Sequence, residues 1–236
     1  MMTKKILHQA QTRGFADHNW LKSYHTFSFA SYYNPERMNF GVLRVLNDDI
    51  IAPIMGFDMH PHNNMEIISI PLEGELEHKD SMGNVAIIKA GEIQVMSAGT
   101  GIYHSEYNKS SEKEGKFLQI WVFPNKKNVT PRYDQYILKN EKNVLQQILS
   151  PNKDEEGVWI HQNAWFHLGN FDADKTVEYQ LKNTENGVYA FVINGNITIE
   201  DVELQTRDAL GIWNTNSLIL KTLKDTTILL MEVPMG

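Results

Sequence analysis

The sequence contains no cysteine. Disulfides, thiolate metal sites and thiol redox switches are therefore excluded, and any metal must be held through nitrogen and oxygen. No apolar run approaches the roughly 20 residues of a membrane-spanning helix. No signal-like apolar stretch follows Met1-Met2-Thr3-Lys4-Lys5. A membrane partner is not expected, and the cytoplasm is the default location. Basic charge is scarce and scattered, with 22 Lys+Arg against 29 Asp+Glu for a formal net charge of −7. Such a chain is repelled by phosphate backbones, so direct nucleic-acid binding is not expected. Helical periodicity is also in short supply. Its best instance is 140–149, where Asn140 can cap and Val144, Leu145 and Ile148 share a face, which predicts one short helix.

What the sequence has in quantity is strand signal. Runs such as Phe40-Gly41-Val42-Leu43-Arg44-Val45, Glu66-Ile67-Ile68-Ser69-Ile70 and Phe117-Leu118-Gln119-Ile120-Trp121-Val122-Phe123 alternate with turns at Asn47-Asp48-Asp49, Glu73-Gly74-Glu75 and Ser81-Met82-Gly83-Asn84. Many short strands with regular turns indicate an all-β barrel or sandwich. The chain also echoes itself. Ser69–Glu77 and Phe191–Ile199 each read as strand, glycine turn, strand, and Lys89-Ala90-Gly91-Glu92-Ile93 has a counterpart in Thr206-Arg207-Asp208-Ala209-Leu210. The expectation is a duplicated barrel, with the polar stretch 124–131 as boundary and domains at 1–128 and 129–236.

The sharpest chemical feature is His60-Pro61-His62. Residues i and i+2 of a strand point to the same face, so both imidazoles aim at one point. His104-Ser105-Glu106 repeats the spacing downstream, after the glycine-rich Gly99-Thr100-Gly101 turn. A lone His-x-His usually decorates a loop; the second pair makes a shared metal the better reading. Glu66 is a rival carboxylate, sharing parity with His60 and His62 if the strand continues through Asn63-Asn64. Three imidazoles and a carboxylate suit Fe(II), Mn(II), Ni(II), Cu(II) or Zn(II). His8, His18, His78, His161 and His167 lack a paired pattern and read as surface or satisfied core positions. Phe27 and Phe29 alternate with Thr26 and Ser28, giving an aromatic face that either contacts substrate or packs in the core. His25 either orients a metal ligand as a donor or makes a structural hydrogen bond.

Together, Arg13-Gly14-Phe15-Ala16-Asp17-His18, His25-Thr26-Phe27-Ser28-Phe29-Ala30, Phe40–Asp49, His60-Pro61-His62 and Ser97–Glu106 resemble the pirin family of the cupin superfamily. The similarity is dense from about Arg13 to Asn108 and looser to the end. It implies a bicupin: two jelly-roll barrels, with one metal, iron-like, in the first. It carries the ligands to His60, His62, His104 and Glu106, favouring Glu106 over Glu66. For bacterial members it implies quercetin 2,3-dioxygenase activity, with a flavonol and O2 as substrates and Glu106 accepting a proton. Other members are regulatory proteins acting through a protein partner, and further cupins are isomerases or hydrolases at redox-inert metals. Laying Gly195 over Gly74 sets Leu181 and Asn183 where His60 and His62 stand, and 221–225 where His104 stands. The second barrel is therefore expected to be structural and metal-free.

Overall fold

The computed structural model describes residues 2–236. Four antiparallel-rich sheets make two barrels. In the first, a seven-stranded sheet runs in the order Arg132–Ile137, Glu92–Ser97, Glu66–Glu73, Gly115–Val122, Leu43–Ile51, Leu21–His25, Gly14–Asp17. Its companion has four strands: Gly56–His62, Ile102–Asn108, Glu75–Asp80 and Val85–Lys89. The second barrel repeats this plan, with Thr176–Gln180, Ser217–Thr222, Asn196–Ile199 and Val202–Gln205 as its four-stranded sheet. The two glycine turns expected to correspond do so. Gly74 and Gly195 both sit at positive φ (79° and 106°), each joining a large-sheet strand to a small-sheet strand.

The strict period of two decides where each side chain goes. Along Gly115–Val122, Leu118, Ile120 and Val122 enter a core shared by both barrels, with Phe166, Tyr189, Phe191, Leu229 and Met231 across it. Phe117, Gln119 and Trp121 point the other way, into the first barrel. Along Asn186–Asn194, Tyr189 and Phe191 likewise face the shared core, whereas Val188, Ala190 and Val192 fill the second barrel. The second interior is mainly apolar, with Ile197, Leu204, Leu210, Leu218, Leu220 and Leu230, and its buried Glu232 is bonded by Tyr179 and Asn186. The first is polar at the same depth, with Ser69, Gln94, His104 and Glu106 all buried.

Strand pairing crosses the expected boundary at 128/129 in both directions. Lys4–His8 pairs with Ala209–Trp213 of the second barrel, and Arg132–Ile137 pairs with Glu92–Ser97 of the first. Asp48 ties the halves further. Its Oδ2 accepts from Arg13 Nη1 (3.1 Å) and from Arg207 Nε (2.8 Å).

The short helix expected at 140–149 is not formed. Asn140 and Asn143 adopt positive φ (52° and 63°), which breaks a helix, and Leu145–Ser150 is a strand against Trp165–Phe171. The register drawn for the second barrel also shifts. The strand in the place of Gly56–His62 ends at Gln180, so Leu181 and Asn183 lie just beyond it.

Candidate metal centre and its cavity

His60 and His62 lie on Gly56–His62, which pairs antiparallel with Ile102–Asn108, so that His104 stands directly across from His60. The Gly99 turn delivers this strand. Gly99 has φ +49°, and a Cβ there would lie 2.0 Å from the Val129 carbonyl oxygen, so no other residue fits without displacing backbone. The three rings converge, with centroids 4.4 Å apart for His60–His104, 4.8 Å for His60–His62 and 5.0 Å for His62–His104. One ligand nitrogen from each lies within 4.8 Å of the others. Ligands about 2.1 Å from a shared ion sit roughly 3–4 Å apart, so a small adjustment of the rings suffices.

The hydrogen bonding fits a metal as well. His60 Nδ1 lies 2.7 Å from the Asp58 carbonyl oxygen. A carbonyl only accepts, so the proton is on Nδ1 and Nε2 keeps its lone pair. His62 Nε2 and both nitrogens of His104 are buried without a partner among the described residues, an arrangement that costs stability unless something fills it. Burial and the neighbouring imidazoles lower His62 to about 4 and His104 to about 3. Both are neutral near pH 7 and ready to ligate.

The imidazole cluster contains no carboxylate. Glu106 lines the same cavity as His60 and His62, but the strand pairing shifts by one residue between His104 and Glu106. Its Oε1 accepts from Ser69 Oγ (2.7 Å), which also lies 2.9 Å from Gln119 Oε1. Among the described residues nothing hydrogen-bonds Oε2. Glu66 is elsewhere. The chain breaks at Asn64 (φ +47°), and Glu66 accepts from Ser97 Oγ at 2.7 Å, outside the cavity lining. Burial raises its carboxyl to about 7.

The cavity measures about 370 Å³ and is walled by Trp20, Leu21, Phe29, Phe57 and Trp121, with Ser23, His25, Asn47, Asp49 and Gln119 as polar members. Phe29 packs edge-on against Trp121 at 5.3 Å. Phe27 does not join it. The strand ends at His25 and Ala30 turns to φ +49°, so the alternation fails and Phe27 packs on Tyr189 in the shared core. His25 bonds Asn47 Oδ1 through Nδ1 (3.0 Å) rather than a ligand ring. His18 is exposed and contributes to the cavity lining. His78 is fully buried, with Nε2 3.1 Å from Asp80 Oδ2 and its ring 5.4 Å from His104. His8 meets the Tyr189 hydroxyl at 2.7 Å in the core, and His167 packs on Tyr179. His161 is half-buried against Trp159.

Ser23, Ser69, Gln119 and Trp121 were not singled out by the sequence, and Asn47-Asp48-Asp49, expected as a turn, lies within the strand Leu43–Ile51 with Asn47 and Asp49 facing the cavity. A usable signal existed in polar residues set between apolar ones, as in Ile68-Ser69-Ile70 and Leu118-Gln119-Ile120. On a strand with one face in a core, these must face an interior that needs polarity.

Comparison with known proteins agrees with this fold. Residues 7–122 match the family model described as Pirin, and 147–233 match that of the quercetinase C-terminal cupin domain. The chain is 42% identical over 228 residues to a quercetin 2,3-dioxygenase of Escherichia coli K12, covering 97% of this chain and 98% of that one. It is 37% identical to a pirin-like protein of Caulobacter vibrioides, covering 93% and 95%. The crystal structure of the E. coli bacterial pirin YhhW in complex with nickel(II) superposes with a TM-score of 0.94 at 41% identity, covering 99% of this chain and 100% of that one. A bicupin with three convergent imidazoles in its first barrel, this chain belongs to the pirin family.

Proposed function

We propose that the protein is a metal-dependent dioxygenase that cleaves flavonols such as quercetin with O2, opening the central ring and releasing carbon monoxide. The observation that carries this reading is a cluster of three imidazoles, with unpartnered nitrogens on His62 and His104, beside an aromatic-walled cavity that His60 and His62 line. His60, His62 and His104 are taken as ligands of one divalent transition metal, with Glu106 as the fourth and iron(II) as the native ion. A metal so held supplies Lewis acidity toward a flavonol's 3-hydroxyl and ketone oxygens and, if redox-active, a path for electrons to O2.

The chain's own residues do the rest. The cavity volume falls within the range of about 300–1,000 Å³ usual for small-molecule sites. Trp20, Phe29, Phe57 and Trp121 give flat surfaces for a planar ring system and exclude water from it. Glu106 accepts the 3-hydroxyl proton at Oε2, while Ser69 holds Oε1 and fixes the carboxylate's position.

The test is to purify the protein, quantify its metals by mass spectrometry and follow quercetin loss with oxygen uptake, beside a His62→Ala variant. One redox-active metal per chain and oxygen-dependent cleavage, both lost in His62→Ala, are expected. Metal bound without turnover would contradict the reaction; no metal after reconstitution would contradict the ligand set.

A further inference from the structure

The imidazoles lie on the small sheet of the first barrel. The large sheet supplies a different stretch of the same cavity wall. Leu21–His25 pairs with Leu43–Ile51 so that Ser23 stands opposite Asp49 and His25 opposite Asn47, and all four line the cavity. Asp49 is only 3% exposed. The Ser23 hydroxyl donates to its Oδ1, and among the described residues nothing hydrogen-bonds Oδ2. Among the described residues no cation pairs with it, and the charges of Asp48 and Glu106, both carboxylates, act on it unfavourably. Burial lifts the Asp49 carboxyl to about 7, so near neutrality a large share carries its proton and can both donate and accept. His25 holds its own proton on Nδ1, because Asn47 Oδ1 can only accept. Its Nε2 therefore keeps a lone pair, with no partner among the described residues.

Asp49 and His25, each with a hydrogen-bonding atom that has no partner among the described residues, thus line a cavity whose surface is largely apolar. Atoms left this way are free to bond a ligand, and a ligand that enters without satisfying them strips them of water at a cost. A site built to bond a hydroxyl rejects an analogue lacking it far more strongly than an apolar pocket discriminates by size. We propose that Asp49, with His25 beside it, is a hydroxyl-recognition subsite that selects aromatic substrates carrying phenolic hydroxyls beyond the one that meets the metal. This rests on the flavonol reading above and names the specificity determinant within it.

The experiment compares quercetin with 3-hydroxyflavone, which lacks every other ring hydroxyl, on the metal-loaded protein. Two ratios are read: that of kcat/KM in air, and that of Kd under nitrogen from quenching of tryptophan fluorescence, since Trp20 and Trp121 line the cavity. Losses common to both flavonols cancel in each ratio. Asp49→Leu is expected to reduce the preference for quercetin about tenfold in both, with Asp49→Asn intermediate. Ser23→Ala leaves Asp49 in place without its anchor and serves if Asp49→Leu does not fold; about threefold is expected. Ratios unchanged within experimental error would overturn the subsite. If the wild type consumes neither flavonol, the proposed reaction fails, and the Kd ratio alone decides the subsite.

Discussion

His104→Leu separates what the metal centre does for function from what it does for stability. His104 is completely buried, and neither ring nitrogen has a protein partner. A buried polar group left unsatisfied costs roughly 1–3 kcal/mol. Leucine has nearly the volume of histidine and no polar atom. The metal-free variant is therefore expected to be more stable than metal-free wild type by about 1–3 kcal/mol. In a chain of this length that raises Tm by about 2–12 °C. Metal reverses the order. An ion at a thousand times its Kd stabilises the wild type by about 4.1 kcal/mol, or about 8–16 °C, and does nothing for the variant. The assay is thermal unfolding at pH 8 in chelator, repeated with Ni(II). A metal-free variant that melts below wild type would show that the His104 nitrogens are not orphaned. A nickel-induced rise surviving in the variant would remove His104 from the ligand set.

Three further predictions follow from neighbouring groups. Asp48→Ala leaves the Arg13 and Arg207 guanidinium groups without their shared carboxylate and is expected to cost about 3 kcal/mol in urea unfolding; a loss under 0.5 kcal/mol would show that the two barrels do not depend on this clamp. Ser69→Ala frees Glu106 Oε1 and is expected to lower kcat about tenfold at unchanged metal content; an unchanged kcat refutes its positioning role, and metal loss in parallel means that it acts on ligation instead. Asp49 titrates at about 7 in the fold against 3.8 in the open chain, so its contribution to stability is present below about 4 and is lost as pH rises toward 7. Asp49→Asn has no such group. Relative to wild type, the metal-free variant should gain roughly 2.7 kcal/mol between pH 5 and pH 8, because Glu66 behaves alike in both; parallel pH profiles in urea unfolding would contradict the burial of Asp49 without a cation.

The parts of this architecture that depend on one strand at a time were legible in the sequence. His60 and His62, and separately His104 and Glu106, follow from the period of two, and the Gly74 and Gly195 turns carry the duplication. What depends on pairing between distant strands was not. The shift between His104 and Glu106 belongs to their partner strand, where Gly56–His62 carries one extra residue opposite them, and the bond from Ser69 to Glu106 comes from a strand of the other sheet. The crossing of Lys4–His8 and Arg132–Ile137 to the opposite barrels joins residues far apart in the chain, and no local propensity encodes it. At 140–149 the apolar spacing suited a helix, and the sheet edge at Trp165–Phe171 prevailed. Phe27 and Phe29 shared a parity that matters only inside a strand, and the strand had ended. Asp48 and Asp49 are adjacent acids on a buried strand; alternation sends one to the inter-barrel clamp and the other to the cavity wall, which their sequence position alone does not reveal.

The most direct test of the central claim is the stoichiometry of the reaction with quercetin in a sealed vessel: flavonol consumed, O2 taken up and carbon monoxide released by the same metal-loaded sample. Flavonol cleavage in this cavity predicts one O2 and one carbon monoxide per quercetin, with neither gas exchanged by His62→Ala. Quercetin loss without carbon monoxide, or at the same rate in the variant, would contradict it.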